Sequence, residues 1–240
     1  MNLFRARSGP FERQLRFSTE EIDAMCVDAL RTADLLPNKP EPIRIERFIE
    51  KHFDCRVSYE DLGIGVMGCT VFRADGSVEA VLISNRIDDG CESSSRCVYS
   101  TLAHEGGHGL MHASLFIVNS NQRRLDIPTA ANSNIDFAKR RILCRESDVR
   151  PVSKNRGYDG RWWEWQANRA IGGFLLPRFL VQQATSQFTE VSSVTRSPSL
   201  PNVRRVEAER ELATIFDVNP VVARIRLEEL FPANGGQFEF

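Results

Sequence analysis

The stretch from Thr101 to His112, TLAHEGGHGLMH, constrains this chain more than any other part of it. The segment Ser95 to Phe116 reads as a helix, and His104 and His108 stand four residues apart on it. At 3.6 residues per turn that spacing stacks the two imidazoles on one face, about 40° apart, where both reach one ion. Glu105 flanks that face without needing to ligate, which is where a carboxylate must stand to take a proton from water. Gly106 and Gly107 lie inside the helix, where each costs about 1 kcal/mol relative to Ala. Two such residues call for the close approach of another element, and that approach brings a third ligand near.

A catalytic site of this type takes one more protein ligand and keeps a position open. Glu164 is the candidate. It begins the string EWQAN on a helix expected from Trp162 to Leu176, which Pro177 helps to end. Ala167 leaves room for the facing helix, and Asn168, one turn on from Glu164, is placed to hydrogen-bond a ligand from behind. Trp162, Trp163 and Trp165 read as packing. His112 follows His108 by four residues but sits about 6 Å farther along the axis, so it packs or hydrogen-bonds rather than ligates. Tyr99, Tyr158, His112 and an arginine of the loop that follows are all candidates for stabilising an oxyanion, and the sequence does not choose among them.

Composition narrows the class. With 240 residues, 42% hydrophobic and 26% charged, the chain is globular, one domain with at most a small appendage. Its apolar runs, such as Ala80 to Ile83 and Phe174 to Leu176, fall far short of the roughly 20 residues that span a bilayer. The opening MNLFRARSGPFERQLRF scatters charge where a secretory signal has an apolar core, so a cytoplasmic location is expected. A net charge of -1 argues against a chain whose main work is coating nucleic acid. The six cysteines form no CxxC pair; they are expected to be reduced and mostly buried, and no chemistry is assigned to them.

Ser18 and Glu21 have the spacing of a capping box, which opens a helix from Thr19 to Ala33. Prolines at 37, 40 and 42 separate it from a second amphipathic helix, marked by Ile45, Phe48, Ile49 and Phe53. Strands are expected at Arg56 to Tyr59, Val66 to Phe72 and Val78 to Ile83, the last two joined through Asp75-Gly76 as a two-residue hairpin. They predict a small antiparallel sheet. Residues 118–161 read as polar and irregular, with ten Lys or Arg against five Asp or Glu. This basic segment is expected near the cleft because it leads directly into the helix of Glu164. A Ser- and Thr-rich stretch ends at Pro201; beyond it one helix spans Val206 to Phe216 and another opens at Asn219-Pro220.

TLAHEGGHGLMH followed by EWQANRAIGGFLLP resembles the ImmA/IrrE family of metallo-endopeptidases, in which an HExxH helix is followed by an E-x-x-A-N helix ending in a leucine pair and proline. The resemblance covers about Ile43 to Pro177, with a weaker echo in LATIFDVNPVVARIRLEEL. It implies an α+β fold: a small antiparallel sheet packed on zincin-like HExxH and glutamate helices, with a C-terminal helical tail. The implied organisation is a metallopeptidase domain at 1–184, a linker at 185–201 and a helix-turn-helix-like segment at 202–240. His104, His108 and Glu164 would bind Zn2+, and Glu105 would be the general base. The implied substrate is a helix-turn-helix transcriptional repressor, cut in a phage, mobile-element, toxin-antitoxin or stress setting. The 55 residues between His108 and Glu164 exceed what is usual in that family.

A second reading is a zinc-containing regulatory module that acts on a partner protein or DNA without proteolysis. Glu105 favours the enzyme, because a structural zinc site has no use for a base. On the last helix Arg224 and Arg226 are offset by Glu228 and Glu229, so direct DNA binding is not expected.

Overall fold

The computed structural model describes residues 2–5, 13–120, 134–136, 138–149, 161–191 and 198–232. Two short antiparallel strands, β1 (Asn2–Arg5) and β2 (Arg13–Arg16), lead into α1 (Thr19–Thr32). The capping box is formed: Glu21 N donates to the Ser18 hydroxyl, and Ser18 N donates to the Glu21 carboxylate at 2.9 Å. After the prolines comes α2 (Ile45–Phe53), whose Ile45, Phe48 and Ile49 are buried.

The three expected strands are present as β3 (Arg56–Glu60), β4 (Val66–Phe72) and β5 (Val78–Ser84). The sheet they enter is mixed, not antiparallel. Its order is β3-β5-β4-β7-β6, where β6 (Ile135–Asp136) and β7 (Arg141–Arg145) come from the segment read as irregular, and β3 runs parallel to β5. β5 enters between β3 and β4, so the β3–β4 loop must span its end. Gly63 and Gly65 adopt φ of 89° and 77°, a region that favours glycine, and the loop carries the chain past the end of β5. Asp61 anchors it, accepting from Gly63 N and from both Nε and Nη2 of Arg86 at 2.7 and 2.8 Å. The β4–β5 connection is also longer than a two-residue turn. Arg73 N donates to Ser77 O, Gly76 N donates to Arg73 O, and Gly76 takes φ 85°: a three-residue loop of the bulged type.

α3 (Glu92–Met111) starts three residues before the expected position, with Cys91 as its cap, and ends before Phe116. His112 leaves helical geometry, and α4 (Ser114–Ser120) follows separately. α5 (Glu146–Val149) succeeds β7, and α6 (Trp162–Leu175) and α7 (Arg178–Ala184) follow. From Thr101 to Gly109 every residue of α3 is buried, because β4, β5 and β7 pack on it, as do α2 and α6. A helix enclosed on all sides normally carries apolar residues all round; this one carries two histidines and a glutamate.

Within 185–201, β8 (Glu190–Val191) pairs with β9 (Pro198–Ser199), and Phe188 and Leu200 are buried. α8 (Arg205–Ile215) and α9 (Pro220–Leu230) pack together, the latter opened by Asn219 as cap. Arg226 on α9 is buried. It pairs with Asp23 of α1 at 2.9 Å and Glu229 at 3.1 Å, and donates to Leu176 O beyond α6 at 3.0 Å. That cation is spent inside the fold and is not offered to phosphates. Among the described residues no helix is long and apolar enough to cross a membrane.

Candidate metal centre

Gly107 sets the distance between the two helices that meet here. A Cβ at Gly107 would stand 2.7 Å from Ala170 Cβ and 3.2 Å from Ala167 Cα, so α6 lies against bare backbone of α3. Gly106 is less confined: its nearest neighbours, Phe174 and Ile49, are at ordinary contact distances of 3.5 and 3.7 Å. The two glycines, alike in sequence, should therefore respond in opposite ways to alanine. Gly107→Ala is expected to destabilise by about 1–3 kcal/mol through overpacking, whereas Gly106→Ala should be neutral or stabilise by up to about 1 kcal/mol. Urea unfolding midpoints of the two variants check this.

The close approach brings His104, His108 and Glu164 together. The Nε2 atoms of the two histidines are 3.0 Å apart; Glu164 Oε2 is 3.2 Å from His104 Nε2, and Oε1 is 3.5 Å from His108 Nε2. Metal–ligand bonds of about 2.0–2.1 Å in tetrahedral geometry require ligand atoms about 3.3 Å apart. The two histidines reach different oxygens of Glu164, and the three residues' ligand atoms, all within 4.8 Å of one another, could hold a metal ion.

The orientation of each ring is fixed from behind. Asn168 Oδ1 lies 3.0 Å from His104 Nδ1, so that nitrogen donates and Nε2 faces the centre. On the other side runs a chain of four groups. Gln166 Nε2 donates to Leu15 O at 2.8 Å, which turns Gln166 Oε1 toward His112 Nε2 at 3.0 Å. His112 therefore carries its proton on Nε2 and accepts at Nδ1 from His108 Nδ1, 2.9 Å away. His108 is left with its Nε2 lone pair aimed at the centre, as ligation needs. Burial first, and then the neighbouring His104 and His112, hold His108 well below the ordinary histidine value. Burial also brings His112 down to about 4, against the Gln166 hydrogen bond that raises it. Both rings are thus neutral. Burial pushes His104 down too, but the adjacent Cys144 and Glu164 outweigh it and hold that ring well above its usual value.

Glu164 is oriented by a residue that the sequence did not single out. Asn134, fully buried, donates to Glu164 Oε1 and accepts from Trp163 Nε1 at 3.3 Å. Glu164 Oε2 is buried and, apart from His104, meets no hydrogen-bond donor among the described residues. A buried carboxylate oxygen in that state is a place for a cation. Glu105 turns toward the sheet, where the Thr70 hydroxyl donates to its Oε2 at 2.5 Å. Its Oε1 lies beneath Gly68 of β4, where a Cβ would come within 2.6 Å.

The five residues singled out as catalytic, metal-binding or supporting, His104, Glu105, His108, Glu164 and Asn168, are thus brought to one place. Gly68, Thr70, Asn134, Cys144 and Gln166 join them unforeseen. Cys144 on β7 is fully buried with its sulfur beside His104 and Glu105, and burial pushes its thiol up to about 12. The only sequence sign of it was the apolar triplet Ile142, Leu143, Cys144 inside a basic run. Residues 121–133, 137 and 150–160 of the long basic segment, Tyr158 among them, lie outside the described residues. No family model matches the chain, and among curated proteins no match is significant.

Proposed function

We propose that this chain is a zinc-dependent endopeptidase that hydrolyses a peptide bond in a specific protein partner. The observation that carries the reading is the pairing of three convergent, buried metal donors with a carboxylate, Glu105, that is held beside them by other groups. His104 and His108 through Nε2, with Glu164, would hold the ion. Bound there, zinc supplies polarisation of the scissile carbonyl and a lowered pKa of water. Glu105 accepts a proton from the attacking water and passes it to the leaving amine, so that one water is consumed and two chain ends are formed. Thr70 fixes Glu105 for that transfer, and Asn168, Asn134 and the Gln166–His112 relay keep the three donors in position.

The resemblance of the two motifs to ImmA/IrrE peptidases supports a helix-turn-helix repressor as partner, with cleavage derepressing its genes in the cytoplasm, and a zincin-like arrangement of the sheet and the two helices. The test is co-expression with a neighbouring repressor, scored by mass spectrometry of the shortened product, together with metal analysis. The expected result is about one zinc per chain and one cut, both lost in His104→Ala. Tight zinc binding undiminished in His104→Ala, or no zinc in the reconstituted wild type, would overturn the reading. One observation favours the non-proteolytic alternative: His104, Glu105 and His108 are 0% exposed and Glu164 is 4% exposed, an enclosure that suits a structural ion as well as a catalytic one.

A further inference from the structure

His104 belongs to two groups of metal-binding side chains. One is the set with His108 and Glu164; the other joins His104 to Glu105 and Cys144, and within each group the ligand atoms, one per residue, lie within 4.8 Å of one another. The sheet builds the second group. In the register between β4 and β7, Cys144 stands directly across from Gly68, and residues opposite each other in a ladder share a face of the sheet. Gly68 is the residue beneath which Glu105 Oε1 lies, so Cys144 faces α3 as well. His104, Glu105 and Cys144 are all fully buried. A nitrogen, a carboxylate oxygen and a sulfur enclosed together are the donors that zinc and similar divalent ions take.

His104 can serve only one group at a time. Its Nδ1 is engaged by Asn168 Oδ1 at 3.0 Å, which leaves Nε2 as the single ring nitrogen for an ion. We propose that His104, Glu105 and Cys144 form a second divalent-metal position, exclusive of the one formed by His104, His108 and Glu164. The exclusion rests on the reading of those last three residues as ligands. When an ion enters the second position, the Cys144 S–H bond breaks, the sulfur electron pair forms the bond to the ion, and the proton leaves to solvent. Glu105 then gives a lone pair to the ion and is lost as a base. A chain loaded at the second position is therefore inert, and the place of the ion, not its presence alone, sets the state of the protein.

The test is cobalt(II) titration of the full chain, read by absorption spectroscopy and metal analysis. Glu164→Gln, whose amide oxygen still accepts from Asn134, and His108→Ala each disable the first position. Wild type should take up about one cobalt and no second. Both variants should bind about one cobalt with a near-ultraviolet thiolate-to-cobalt charge-transfer band. Adding Cys144→Ser should abolish the band, and adding Cys69→Ala, which removes another buried cysteine of the sheet, should keep it. His104→Ala, which breaks both groups, should bind cobalt at neither. Variants that bind no cobalt or bind it without the band, or a band that survives Cys144→Ser, overturn the second position while leaving the three-ligand centre standing. Two cobalt ions in wild type overturn the exclusion, and failure of wild type to bind cobalt or zinc overturns the three-ligand centre.

Discussion

Glu105→Gln is expected to retain its metal and its fold and to lose partner cleavage by about 10²–10⁴-fold. The substitution preserves side-chain length, and an amide oxygen still accepts from the Thr70 hydroxyl that meets Glu105 at 2.5 Å. What it removes is the capacity to accept a proton. Single-turnover cleavage of the purified partner, with zinc content measured on the same samples, checks this. The variant also separates the two functional classes. A regulatory module that works through its metal alone would be indifferent to the change, and full cleavage by Glu105→Gln would place the base elsewhere.

Arg226→Ala should be the most damaging single substitution outside the centre. Arg226 is 1% exposed, paired with Asp23 and Glu229, and bonded to Leu176 O. Removing it takes from the Asp23 carboxylate the nearer of its two arginines, leaving Arg178 at 3.7 Å, and deprives Glu229 of one of its two, the other being Arg169. Truncating one partner of a buried ion pair costs about 3–5 kcal/mol, a large part of the 5–15 kcal/mol that holds a typical domain. The expected observation is a urea midpoint lowered by that equivalent at unchanged slope. A midpoint within error of wild type would show that α9 is dispensable to the packing of α1 and α6.

Much of the centre was legible because its logic is local. A four-residue spacing on α3, a capping box at Ser18 and an Asn-Pro pair at the start of α9 each fix a conformation through neighbours a turn away. Glu164 was legible as a candidate for the same reason, since Glu164 and Asn168 are one turn apart on α6. Parts that depend on distant chain were not. β3 lies parallel to β5 because β5 enters the sheet between β3 and β4, which no periodicity within either strand records. β7 alternates half-buried and buried residues over five positions, yet its arginines at both ends make it read as solvated loop. Asn134 acquires its role only where β6 brings it beside α6, 30 residues later in the chain. His112 ends α3 where a continuous helix was expected, its ring held by Gln166 from another helix.

The position of β4 inside the sheet bears on how a polypeptide could be presented to Glu105. Extended peptides commonly dock on sheets by strand addition, which needs an edge with unpaired backbone groups. β4 is the strand nearest Glu105, and both of its edges are taken, one by β5 and the other by β7. Among the described residues, the outermost strand on the β7 side is β6, two residues long. A guest chain therefore gains the ladder beside Glu105 only by exchanging places with β5 or with β7.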